Sequence, residues 1–182
     1  MSKQDDILVA AERLFYEQGF HATGIDAIVE AAGTTPRTLY KHFNNKDALV
    51  LAVLKARDER YCDLCETFPA GDRNSMISGF FRASLHWAQH YSPRGCIYIQ
   101  AQHEYGRING PIMDYVRAHK SRIMAIITRR LSAHVHRDRL PELTEALSLL
   151  IEGATASAPL HGAEESFRTA ERLALSFAAE NA

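Results

Sequence analysis

An all-α protein is expected, and three features of the sequence predict it. Apolar residues recur at three- and four-residue spacing almost throughout. No segment sustains a two-residue alternation built on β-branched side chains. Gly and Pro then cut the chain into lengths that suit helices. We expect about nine helices, arranged as an N-terminal three-helix helix-turn-helix unit over residues 1–46 and a C-terminal helical body over residues 47–182. At 182 residues, 46% hydrophobic and 24% charged, the chain is long enough to bury a substantial core.

The first helix carries Ile7, Ala11, Leu14 and Phe15 on one face. Gly19 is expected to end it in a left-handed conformation, with Phe20 as the apolar contact that accompanies such caps. Thr23 and Asp26 have the spacing of a capping box and predict a second helix with Ile25, Ile28, Val29 and Ala32 inward. Gly33 breaks that helix. Thr35 is a suitable N-cap, and Pro36 suits the first helical position because its missing N–H has no intrahelical partner there. A short third helix should therefore run from Pro36 to His42. Asn45 is expected to cap a longer fourth helix starting near Lys46. Further breaks are expected near Pro69–Gly71, Pro93–Gly95, Gly106–Gly110–Pro111, Pro141 and Pro159–Gly162.

Formal net charge is −1, so bulk charge does not point to a nucleic-acid binder. Residues 1–50 are not basic overall either, so any DNA-facing charge must be segregated. The stretch "TTPRTLYKHFNNK", residues 34–46, holds Arg37, Lys41, His42 and Lys46 and no acidic residue. Leu39 and Phe43 are four apart and should anchor the third helix. Thr35, Arg37, Thr38, Lys41 and His42 are then left outward, on a two-turn helix that fits the major groove of B-DNA. Arg offers a bidentate fork to guanine, and Thr can donate, accept or touch the thymine methyl. Tyr40 and Lys46 sit at the rim, where contacts go to phosphate and set position. The competing reading is a solvated helix end in an ordinary helical protein.

At these residues the chain resembles a known family. Ala11, Leu14-Phe15, Gly19-Phe20, Thr23, Ile25, Ile28, Ala32-Gly33, Thr38-Leu39-Tyr40, His42-Phe43, Lys46 and Leu49 look like the N-terminal signature of the tetracycline-repressor (TetR/AcrR-type) transcriptional regulators. The resemblance covers about a quarter of the chain. It implies a homodimer of a kind that usually represses transcription until a small molecule releases it from its operator, while the odd count of three cysteines argues for reduced thiols in a cytoplasm. Arg37 stands where the family commonly has Gly, and Pro36 where Lys or Arg is common; the first adds a potential DNA contact and the second removes one.

The resemblance further implies that the last two helices make a four-helix bundle across a twofold axis. Leu143, Leu147, Leu150 and Ala154 would supply one face and Phe167, Ala170, Ala174 and Phe177 the other, although the same stripes suit an ordinary core. Such a dimer sets its recognition helices about 34–36 Å apart and needs a near-palindromic double-stranded site. Residues 80–124 are rich in aromatics and sulfur. Phe81, Trp87, Tyr98, His103, Tyr105 and Met113 are candidates to line a pocket for an apolar or aromatic effector, with His86, Gln100, Gln102 or Glu104 as further polar groups.

Other signals point elsewhere. Cys62 and Cys65 form a C-x-x-C, and His86 and His90 have the i, i+4 spacing that lets two imidazoles share an ion. The alternative they raise is a metal- or redox-responsive regulator. No motif pairs a nucleophile with a base at recognisable spacing, so no enzyme is expected. No cofactor and no resident metal are expected either. The acidic N-terminal residues do not suit a signal peptide, and no run of apolar residues suits a membrane span.

Overall fold

The computed structural model describes residues 2–68, 71–106 and 110–180. These residues hold nine α-helices and no strand. They are α1 (Lys3–Gln18), α2 (Ile25–Ala31), α3 (Pro36–His42), α4 (Lys46–Thr67), α5 (Arg73–His90), α6 (Ile97–Tyr105), α7 (Gly110–Leu131), α8 (Leu140–His161) and α9 (Ala163–Glu180). The break expected at Pro69 lies outside the described residues. The chain divides into two compact units, Met1–Glu59 with Ile97–Ala118, and Arg60–Cys96 with His119–Ala182. Helix α6 and the first part of α7 thus belong with the N-terminal helices, although they follow them by some fifty residues.

In the first unit, Ser2 and Asp5 close a capping box on α1, and Ile7, Ala11, Leu14 and Phe15 are buried as expected. Gly19 ends the helix with its N–H donating to the carbonyl of Phe15 at 3.0 Å. Its φ of 100° and ψ of 158° are not the left-handed cap expected but an extended mirror conformation that essentially only glycine adopts.

The start of α2 also departs from expectation. The N-cap is Gly24, with no side-chain hydrogen bond, and Asp26 makes no capping box. Thr23 is fully buried instead, its hydroxyl donating to Gly19 O at 2.7 Å and Leu14 O at 3.2 Å. The carbonyls at the end of α1 are short of donors, and a buried hydroxyl nearby satisfies them better than it satisfies an exposed N-terminus. Helices α3 and α4 begin as expected. Thr35 caps α3 with Pro36 in its first turn, and the Asn45 side chain accepts from Ala48 N at 2.8 Å.

In the second unit α5, α8 and α9 pack on one another around Ile77, Phe80, Phe81, Leu147, Ile151, Phe167 and Ala174. Gly79 permits a close approach, since a β-carbon there would lie 2.3 Å from the Phe68 ring. Arg130 closes the end of α4: its guanidinium donates to the carbonyls of Glu66 and Phe68, each at 2.7 Å, and lies over the Phe68 ring. Pro159 does not break α8, which runs to His161 and ends at Gly162. The residues expected at the dimer interface lie largely within the chain's own packing. Leu143, Leu147, Ala154, Phe167, Ala170 and Ala174 are buried in the chain's own core, and Leu150 and Phe177 pack against it half-buried. An apolar stripe at helical spacing does not distinguish its own core from a partner.

Replacing Thr23 by Val keeps the shape and removes the donor. Two buried carbonyls then lose a partner, and Thr23→Val should lower stability by about 1–3 kcal/mol. An unchanged denaturant midpoint would show that these carbonyls are satisfied some other way.

Candidate nucleic-acid interface

Helix α3 has two faces. Leu39 and Phe43 are buried, and α3 packs on both α1 and α2. Pro36, Arg37, Tyr40, Lys41 and His42 are exposed, Tyr40 at 49%. Arg37, Lys41 and His42 thus project with the phenol from one short helix, as the sequence implied. Thr35 and Thr38 differ in detail. The Thr35 hydroxyl accepts from Thr38 N at 3.3 Å and lies 3.1 Å from the Thr38 hydroxyl, so much of its capacity serves the cap. Lys46 is half-buried, and its ammonium donates to the carbonyl of His21 at 3.4 Å.

Behind this face α4 is tied to α1. Arg57, 3% exposed, donates to Glu12 at 2.7 Å and lies over the ring of Tyr16. A buried pair of this kind specifies register more reliably than it adds stability. One residue on, Asp58 accepts from the Tyr115 hydroxyl at 2.8 Å.

Sequence reasoning missed a clasp between α6 and the turn after α1. The Glu104 carboxylate accepts from Phe20 N at 3.0 Å and His21 N at 2.6 Å. His21 returns a ring contact of 2.9 Å to the Glu104 carbonyl. Gln100 donates to Phe15 O at 3.2 Å and to the Glu104 carboxylate. The Tyr105 ring packs edge-on against Phe20 and tilted against His21, with centroids 5.6 and 4.7 Å away. Burial pushes its phenol up to about 12. Gln100 and Glu104, expected as polar groups of a pocket, are used here. No local pattern announces this, because the partners are backbone groups some eighty residues distant.

The six expected pocket residues divide between the units. Tyr98, Tyr105 and Met113 are buried in the first, where Tyr98 donates to Leu54 O at 2.9 Å, while His103 in that unit is exposed. Phe81 is core in the second, and Trp87 packs between the rings of Tyr61 and Tyr91. No disulfide joins Cys62 and Cys65. Cys65 is buried, which pushes its thiol up to about 12. A thiol so protonated is a poor redox sensor.

This short helix, anchored on one side and cationic on the other, coincides with a known sequence profile, since residues 7–53 match that of the bacterial regulatory proteins, tetR family. The chain is 36% identical over 83 residues to the HTH-type transcriptional regulator TcmR of Streptomyces glaucescens, covering 45% of this chain and 37% of that protein. Over 165 residues it is 26% identical to the HTH-type transcriptional repressor ComR of Escherichia coli, covering 85% and 79%. The fold superimposes on the crystal structure of SCO4454, a TetR-family transcriptional regulator from Streptomyces coelicolor. The TM-score is 0.86 at 27% identity, and 98% of this chain and 95% of that one are covered. Residues 7–53 carry the tetR-family profile, and the fold is that of a TetR-family transcriptional regulator. Among the first relatives, the match spans only 37% of TcmR and 24% of the transcriptional activator FasR of Mycolicibacterium smegmatis, well under half of either. The relatives are transcriptional regulators of both signs, and nothing in them favours the metal- or redox-responsive alternative.

Glu104→Gln keeps the size of the clasp residue but turns an NH2 toward one of two N–H donors. This should cost about 1.5–3 kcal/mol, as for loss of a charged hydrogen-bond partner. Thermal unfolding measures it, and a variant as stable as the parent would mean that the clasp contributes no net free energy.

Proposed function

We propose that this chain is a DNA-binding transcriptional regulator that reads a near-palindromic duplex as a homodimer and is released by a small apolar or aromatic molecule, typically as a repressor, in the cytoplasm. The observation that carries the reading is α3, with Arg37, Tyr40, Lys41 and His42 exposed opposite buried Leu39 and Phe43. Residues 34–46 contain no acid to repel phosphate. Thr35 and Thr38 flank the same face, with Lys46 at its rim. Among the described residues no helix is long and apolar enough to cross a membrane.

The homodimer is better served by the outer faces of α8 and α9 than by the residues first expected. Leu149 is 65% exposed, Leu160 81% and Leu173 44%, with exposed Gly153 and Ala156 between the first two along α8. Large exposed apolar residues beside small ones suit a self-complementary surface. An effector acts on such a dimer only if it prefers one spacing of the recognition helices over another.

Selection of the purified protein against a random duplex library tests the reading. The expected result is a palindromic motif with half-sites about one helical turn apart, and no enrichment at low salt would overturn the proposal. Lys46→Ala should weaken binding to all sequences and lower the salt slope by about one unit. Arg37→Ala should also relax specificity, by about 1–3 kcal/mol at one base. Identical behaviour of the two variants would make Arg37 a phosphate contact. Leu149→Glu with Leu173→Glu should turn the dimer into a monomer by light scattering and weaken operator binding. A variant that stays dimeric would place the interface elsewhere.

A further inference from the structure

Two histidines stand outside every surface described so far. His86 and His90 are both exposed near the end of α5. Their rings are stacked, with centroids 4.2 Å apart and planes inclined by 30°. The Nδ1 atom of His90 lies 2.9 Å from the carbonyl oxygen of His86. A carbonyl only accepts, so that Nδ1 carries the hydrogen and the neutral ring keeps its lone pair on Nε2. Proteins orient metal-binding imidazoles in this way: one ring nitrogen donates to a carbonyl while the other faces the ion.

The spacing agrees. Two imidazoles on adjacent positions of one ion, each at about 2.0–2.1 Å, hold their ring centres roughly 4.5 Å apart. The observed centroid separation of 4.2 Å is close to that value, and both residues stand one turn apart on the same helix.

We propose that His86 and His90 form a bidentate site for a divalent late first-row transition ion. Imidazole pairs favour copper, nickel and zinc over magnesium and calcium, whose preferred ligands are oxygens. Among the described residues no group of three or more His, Cys, Asp or Glu side chains could hold an ion. Water therefore completes the coordination, and the site is open and exchangeable. Trp87, the chain's only tryptophan, is the residue after His86 and packs on Tyr91, so a paramagnetic ion at the site has a reporter beside it.

Nickel chloride is the probe, because it does not oxidise the free thiols. The full chain without an affinity tag is stripped with chelator and titrated in a non-coordinating buffer at about pH 7.5, above the usual imidazole range. Trp87 emission and the heat of binding are followed. Saturable quenching at one nickel per chain is expected. His86→Gln and His90→Gln should each raise the dissociation constant about tenfold or more, because two-point attachment becomes one-point. His134→Gln, at an exposed histidine after α7, should leave it unchanged. The proposal is overturned if quenching does not saturate, or if the double variant binds as tightly as the parent. The site is independent of α3, so DNA binding by the metal-free variants checks their folding and separates failure here from failure of the regulatory reading.

Discussion

The exposed face of α3 rests on the burial of Leu39 and Phe43. A helix of seven residues is not stable by itself in water, since nucleation costs more than so few hydrogen bonds return. Helix α3 exists because those two side chains are held against α1 and α2, and because Thr35 and Pro36 prepare its first turn. Its outward residues are then free of any structural duty that would limit their chemistry. Arg37, Lys41 and His42 can be cationic or polar at no cost to the core, since the apolar anchors lie on the opposite side.

Around that anchor the first unit is tied at three levels. The Arg57–Glu12 pair sets α4 against α1, the Thr23 hydroxyl closes the end of α1, and Glu104 of α6 holds the turn that follows. Each tie is polar and at least partly buried, so each has strict geometry. A helix-turn-helix held by apolar contacts alone could slide, whereas directional bonds restrict it to few arrangements. Within the unit, a displacement of α6 would reach the turn after α1 through hydrogen bonds of under 3.3 Å.

Much of this was legible in the sequence because the signals were local. The cap at Thr35, Pro36 in the first turn, Asn45 before α4 and the stripe of α1 involve residues within a few positions of one another. The all-helical fold followed from periodicity in the same way. The failures share a cause as well. Thr23 turned back to the end of the preceding helix and not to the start of its own, and Glu104 reached the main chain more than eighty residues away. Hydrophobic spacing says that a face is covered but not by what. A lone carboxylate on a helix says nothing of the backbone it will meet.

The Glu104 clasp is made to main chain and not to side chains at positions 20 and 21. Its donors are peptide N–H groups, which every amino acid except proline supplies. Substitution at positions 20 and 21 by any residue but proline therefore keeps both donors, while position 104 cannot give up its carboxylate. Divergence is tolerated at one end of the contact and penalised at the other. A proline at position 20 or 21 would be a loss-of-grip allele even though no side chain there takes part in the carboxylate's two bonds.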